Sequence, residues 1–330
     1  MSLGLQFRRL LSSRYQVERC SFSPDGKLLA ACFSDYSIRV FRVGSPAENA
    51  DGGHACSPTT IQLESVFREH RSNVWCVDFA SDCSLMCTCS SDMTVKLWDL
   101  HTRTEKLTFK QHSDTVWCCS FSAAGIIASG SSDKTVKIWS YESGEVIHNL
   151  NCYFDAVDCL DFSKDSTQLC TGSRDGTIRL WSNITSKVVP PTCLLLHASD
   201  AWIRFCTFSN GIDEAGRCQE FLAACGSNNA VLVWNMQQIQ MPGKGEEENS
   251  SSSAELPVQA DCRYTVEQTS MDTTDGSVGV APNFTLCGHL NTVWSCSIAT
   301  LQNTTDSASD DERKQHKNVL ISCSGDRTMR

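Results

Sequence analysis

The hydrophobic positions come in short runs, rich in Val, Ile, Thr, Phe and Trp and punctuated by Gly, Ser and Asp. Runs of this kind predict many short β-strands rather than helices. They also repeat. A β-branched residue opens a short apolar strand that ends in Phe or Ile: Val17 to Phe22, Val74 to Phe79, Val116 to Phe121, Val157 to Phe162, Ile203 to Phe208 and Val293 to Ile298. A second strand follows and ends in a tight turn carrying Asp35, Asp92, Asp133, Asp175, Asn228 or Asp326. Six residues beyond the turn residue stands an aromatic, Phe41, Trp98, Trp139, Trp181 or Trp234, in all five repeats where it can be read. A period of about 41 residues with four strands per repeat predicts the blades of a β-propeller.

The segments SSDMTVKLWD (90–99), SSDKTVKIW (131–139) and SRDGTIRLW (173–181) resemble the strand-turn-strand core of the WD-repeat (WD40) family. The resemblance implies an all-β fold, a WD40 β-propeller of four-stranded antiparallel blades. Six blades are recognisable in a single domain over 1–330, approximately 12–66, 67–109, 110–150, 151–196, 197–286 and 287–330. The sixth is cut short, because Arg330 follows four residues after Asp326. The family usually closes with seven blades, so the expectation is a fragment lacking roughly one blade. Residues 5–11 (LQFRRLL) are a candidate closing strand.

The family pattern also implies a buried hydrogen-bonded set: a His before the first strand, a Ser or Thr on the second, the turn Asp and the third-strand Trp. A buried indole N–H, hydroxyl and imidazole each need a partner, and a chain of bonds ending on a carboxylate satisfies all three. By resemblance, His70, Thr88, Asp92 and Trp98 form one set, and His112, Ser129, Asp133 and Trp139 another. His289, Ser322 and Asp326 are three members of a third. The fourth repeat has Thr171, Asp175 and Trp181 with Tyr153 at the His position. The first and fifth lack the set, with Ser13, Ala31 and Phe41 in one and Ser199, Ala224 and Asn228 in the other. His, Ser and Asp together also suggest a hydrolytic triad. Recurrence in register argues for structure instead, and no convergent acid, base or metal site suggests an enzyme.

The chain has 330 residues and a formal net charge of −10. That balance argues against a nonspecific nucleic-acid binder, which needs clustered Lys and Arg. Much of the negative charge lies in one insertion, 241–282, whose acidic and Ser-rich composition is that of a disordered segment. Three further insertions, 44–60, 209–220 and 300–317, share its topological position. With strands a to d in chain order, all four leave at a–b or c–d connections.

Twenty cysteines are many for this length. They fall at fixed phases of the repeat: Cys32, Cys89, Cys225 and Cys323 in one, Cys20, Cys119, Cys206 and Cys296 in another, Cys76, Cys118 and Cys159 in a third. Other repeats carry Gly, Ala, Val or Leu at several of these places, so the thiols read as small buried hydrophobes. A zinc site from Cys83, Cys87 and Cys89 lacks a fourth ligand. No 18-residue apolar run exists, and Arg8 and Arg9 break the N-terminal apolar stretch. The expected setting is therefore the cytoplasm or nucleus, with no membrane, metal or cofactor.

Trp75, Trp117 and Trp294 recur one residue after the opening Val, and Trp202 stands just before Ile203. Arg204 and Glu18 occupy the matching place in the fifth and first repeats, while Arg174 and Lys134 lie in b–c turns. Either these residues fill space between blades, or they form a rim of aromatic anchors with charged neighbours, the composition of interface hot spots. The rim reading makes the protein a non-enzymatic scaffold for protein–protein interaction, binding peptides or domains but not nucleic acid. The alternative is the substrate-recognition propeller of a ubiquitin ligase. The FLAACG strand (221–226) and TLCGH (285–289) are similar to the propeller of WD-repeat, SAM and U-box proteins.

Overall fold

The computed structural model describes residues 15–44, 60–198, 200–212, 218–239, 284–287, 289–302 and 316–324. These form β-strands and one short 3-10 helix, Met236–Gln238. Among the described residues no helix is long and apolar enough to cross a membrane. The chain divides into two compact units between Ile147 and His148.

Strands pair in chain order, each antiparallel to the one before. In the first unit, β1 (Val17–Phe22), β2 (Leu28–Phe33), β3 (Ile38–Gly44) and β4 (Thr60–Phe67) make one sheet. A second holds β5 (Val74–Phe79), β6 (Leu85–Ser90), β7 (Val95–Asp99) and β8 (Thr104–Phe109). The third has β9 (Val116–Phe121), β10 (Ile126–Ser131), β11 (Val136–Ser140) and β12 (Val146–Leu150), and the division between the units falls within β12. The second unit contains β13 (Val157–Phe162), β14 (Gln168–Ser173), β15 (Thr177–Ser182) and β16 (Thr192–Ala198). Next come β17 (Ile203–Ile212), β18 (Cys218–Gly226), β19 (Ala230–Asn235) and β20 (Phe284–Cys287), then a two-stranded sheet of β21 (Val293–Gln302) and β22 (His316–Ser324).

Burial explains the composition of the strands. All six residues of β6 (LMCTCS) and of β10 (IIASGS) are buried, so both of their faces are covered and neither strand carries a charged residue. The outer β8 (TEKLTF) begins with three exposed residues and can be polar. Cys87, Cys89 and Cys119 pack with Leu97 and Trp139 in one core, and Cys159, Cys170 and Cys206 with Leu180 and Trp234 in another. Burial pushes the Cys87 and Cys170 thiols up, which keeps them protonated and unreactive. Each described cysteine is a free thiol.

The fixed turn residue has a local cause. Its side-chain oxygen accepts a hydrogen bond from the backbone N–H two residues on: Asp92 from Thr94 at 3.1 Å, Asp133 from Thr135 at 3.0 Å, Asp175 from Thr177 at 2.9 Å and Asn228 from Ala230 at 3.2 Å. This Asx turn holds the intervening residue left-handed, as at Met93 (φ 67), Lys134 (φ 67), Gly176 (φ 81) and Asn229 (φ 60).

Two features differ from the sequence expectation. The insertions 209–220 and 300–317 are not loops throughout. The β17–β18 ladder continues from Ser209↔Phe221 to Ile212↔Cys218, and the β21–β22 ladder from Thr300↔Asn318 to Gln302↔His316. Continued pairing satisfies backbone groups that a loop would leave to water. Secondly, β16 runs through Ala198 and β20 through Cys287, past the 151–196 and 197–286 segments. The segments 5–11 and 241–282, and Ser13, Ser199 and Asp326, lie outside the described residues.

Within each unit a carboxylate on a first strand clasps the next sheet. Asp78 Oδ2 accepts from Ser120 Oγ at 3.0 Å and from the Phe121 N–H at 2.8 Å. Asp161 Oδ2 does the same for Thr207 Oγ1 and the Phe208 N–H, both at 2.8 Å. Asp78→Ala is expected to lower stability by about 2 kcal/mol, because it leaves two donors without their acceptor. Chemical denaturation of wild type and variant measures it, and an unchanged midpoint would dismiss the clasp.

Candidate functional site

The His, hydroxyl, Asp and Trp side chains meet in buried chains. His70 Nδ1 lies 2.8 Å from Asp92 Oδ2 and its Nε2 2.8 Å from Thr88 Oγ1, to which Trp98 Nε1 donates at 2.8 Å. His112 repeats this with Asp133 at 2.7 Å and Ser129 at 2.8 Å, and Trp139 donates to Ser129 at 2.8 Å. His289 Nε2 lies 2.8 Å from Ser322 Oγ. In the fourth sheet the phenol of Tyr153 bonds Thr171, and Trp181 Nε1 donates to Thr171 at 3.0 Å and to Tyr153 at 3.1 Å. Asp175 there accepts the Phe154 N–H at 2.9 Å, as Asp92 accepts that of Arg71. Thr88, Ser129 and Thr171 each accept from a buried indole, whereas Ser322 meets the imidazole of His289.

The fifth sheet departs from the sequence reading. Ala224 leaves it without the hydroxyl, but a histidine is present. His197 is buried and stands edge-on to Trp234 at 6.4 Å and 61°, close to the 6.1 Å and 66° of His70 and Trp98. It lies six residues before Ile203 rather than four, on the end of β16. The longer connection hides it from a search at fixed spacing.

The first position after the opening residue gathers a second group. In the first unit, the Trp75 and Trp117 rings meet with centroids 4.8 Å apart and planes tilted by 43°, each half-buried. Their N–H groups donate to the residue that precedes the turn Asp: Trp75 to Ser91 Oγ at 2.6 Å and Trp117 to Ser132 Oγ at 2.7 Å. In the fourth sheet the same two phases carry Asp158 and Arg174, and Arg174 Nε donates to Asp158 Oδ2 at 2.9 Å. A Trp–Ser pair is thus exchanged for an Asp–Arg pair in one register.

That exchange organises the second unit's cluster. Arg204 Nη1 also donates to Asp158 Oδ2, at 3.2 Å. Its guanidinium lies 5.1 Å from the Trp202 ring and 5.5 Å from the Trp294 ring, and that of Arg174 lies 5.8 Å from Trp202. Trp202 is 45% and Trp294 53% exposed. Burial lifts the Asp158 carboxyl above its ordinary range despite the two guanidiniums. Lys134 is exposed on its turn and joins neither cluster.

Residues 8–42, 61–99, 103–140 and 144–182 match the WD40 family, described as WD domain, G-beta repeat. The chain carries WD40 repeats. The four-stranded sheets are accordingly WD40 blades. Among proteins similar to this WD40-repeat chain is apoptotic protease-activating factor 1 of Danio rerio, 27% identical over 227 residues, 68% of this chain and 16% of that protein. The U3 small nucleolar RNA-associated protein 15 homolog of Xenopus laevis is 26% identical over 212 residues, 51% of this chain and 38% of the relative. The WD repeat, SAM and U-box domain-containing protein 1 of Danio rerio is 34% identical over 137 residues, 40% of this chain and 27% of the relative. The matches thus span well under half the length of each relative.

Of the residues that these clusters in the WD40-repeat chain bring together, sequence reasoning missed Asp158 and His197. Asp158 was detectable: it follows Val157 as Trp75 follows Val74. A search for recurring tryptophans passes over a carboxylate at the same phase.

Proposed function

We propose that this protein is a non-enzymatic WD40 interaction scaffold that binds peptides or domains of other proteins through the tryptophan-bearing starts of its first strands. The observation that carries the reading is the placement of exposed or half-buried indoles at one repeat phase in both units, next to charged side chains. Exposed Trp and Arg are the residue types that dominate interface energetics, because they bury much area and lose little entropy doing so. Tryptophans that served only to fill space between sheets would be covered instead.

Both partner class and setting follow from the same surface. Protein partners fit the exposed aromatics and the net charge of −10 better than nucleic acid does, since a nonspecific phosphate contact needs clustered cations. A cytoplasmic or nuclear setting fits a chain whose described cysteines are free thiols. Recognition of substrates for a ubiquitin ligase is a second reading. It is favoured by the 34% identity to a U-box-containing relative.

Trp75→Ala combined with Trp117→Ala is the direct test. Quantitative affinity capture from cell extract, against wild type, is expected to lose most specific partners, with circular dichroism and a melt used to choose a temperature at which the double variant is folded. Undiminished capture by the folded double variant rejects the rim. Ubiquitin-ligase components among the lost partners would favour the second reading.

A further inference from the structure

Resting on the rim reading above, we propose that the Trp202, Arg204 and Trp294 cluster, with Arg174 beside it, receives a carboxylate side chain of an acidic partner peptide.

The charge of the cluster points to this class. Two guanidiniums converge on the single carboxylate of Asp158, whose side chain is only 5% exposed. Two guanidiniums thus face one directly bonded carboxylate, with Asp155 near enough to act on Asp158, on a chain whose net charge is −10. The donors point the same way. Among the described residues Arg204 makes one hydrogen bond, from Nη1 to Asp158, and its Nε is buried with no acceptor. A guanidinium has five N–H donors in a fixed fork, so most of those on Arg204 have no partner among the described residues. Cation–π contact with both indoles and the bond to Asp158 hold that fork in place before any ligand arrives, which lowers the entropy cost of binding.

Other ligand classes fit less well. A cationic peptide would meet like charge. A neutral apolar peptide would cover the Arg204 donors without supplying an acceptor, which carries a desolvation penalty. A carboxylate supplies oxygens that match the fork, and the residues flanking it in the peptide cover the exposed indole faces. Single-stranded RNA would also stack on the indoles, but two guanidiniums already bonded to Asp158 neutralise little of its backbone.

The test uses the full chain, immobilised, and four libraries of short peptides degenerate at the flanks. The central residue is fixed as Glu, Gln, Lys or phosphoserine, and an oligouridine RNA is a fifth probe. The expected result is that the Glu library is retained about tenfold over the Gln library, with the ratio falling at high salt. Arg204→Met keeps an apolar stem of similar length between the rings. It is expected to abolish the Glu preference while still capturing the Gln library. Equal retention of Glu and Gln by the wild-type chain overturns the proposal without any variant. So does stronger retention of Lys, phosphoserine or RNA, or a Glu preference that survives Arg204→Met. Capture of no peptide library at all would overturn the rim reading too, whereas capture without Glu preference removes only the carboxylate.

Discussion

Asp92→Ala is expected to destabilise the first unit by about 3 kcal/mol or more. Asp92 takes hydrogen bonds from His70 Nδ1 at 2.8 Å, the Arg71 N–H at 2.9 Å, the Thr94 N–H at 3.1 Å and Thr94 Oγ1 at 2.6 Å. Removing the carboxylate breaks the Asx turn and strips the buried imidazole of its acceptor. Further along the chain, Thr88 and Trp98 then depend on a histidine that nothing orients. Burial pushes the Asp92 carboxyl up, but the hydrogen bonds and charge of His70, with Thr94 and the Arg71 N–H, outweigh it and hold it well below the ordinary carboxylate range. Asp133 is held low in the same way, by His112 and Thr135 against burial.

The sign of the pH dependence follows. A carboxyl with a depressed pKa in the folded state contributes stability above its unfolded pKa, about 3.9. That stability is lost as pH falls below this value toward the folded one. The melting temperature of the wild type should therefore drop more steeply below about pH 4 than that of Asp92→Ala, and the gap between them should shrink. Melts from neutral to acid pH read this directly. A gap that stays constant would mean that Asp92 acts through shape alone.

Gly226→Ala is the other large effect. A Cβ built on Gly226 falls 1.9 Å from the carbonyl oxygen of Trp202, 2.9 Å from its carbonyl carbon and 3.1 Å from the Ile203 Cα. All three are backbone atoms, pinned by the Ser227 N–H donating to the Trp202 oxygen at 2.9 Å and by the Ile203↔Gly226 pairing. Nothing flexible can yield, so the start of β17 has to move, at a cost of about 3 kcal/mol or more. Gly172→Ala is the comparison. Its Cβ would meet Ile203 Cγ2 at 2.5 Å and Cys159 Sγ at 2.6 Å, both side-chain atoms that can shift, and should cost about 1–3 kcal/mol. Thermal melts rank the two. Gly226→Ala should also disturb the near-ultraviolet signal of Trp202 because its backbone is the obstructed element. Equal losses from the two variants would show that the backbone contact is not the cause.

Much of the fold was legible because its rules are local. A β-branched opening residue, a run of alternating apolar positions and an Asx turn act within some twenty residues, and β1, β5, β9 and β13 begin and end where the pattern placed them. The strands β17 and β21 were read too short. Their continuation depends on a partner strand across the insertion, and the pattern of one strand alone does not show it. The rim was legible only in part. Phase singled out Trp75, Trp117, Trp202, Arg204 and Trp294, whereas the two carboxylate arrangements that order their surroundings, Asp78 on Phe121 and Asp158 on Arg174 and Arg204, went unread.

By itself, the order of residues determined the all-β class, the period and the turns, and the resemblance to WD-repeat proteins pointed to the Trp, hydroxyl and His positions of the regular repeats. The class, the period and the turns follow from side-chain period or from bonds between near neighbours. Only the tertiary structure decided that Trp75 lies on Trp117, that His197 reaches Trp234 from an unexpected position, and that Asp158 gathers two arginines under exposed indoles. Apart from Arg174 with Asp158, those contacts join different sheets, and the distances between sheets are set by how their side chains pack, which no spacing along the chain encodes.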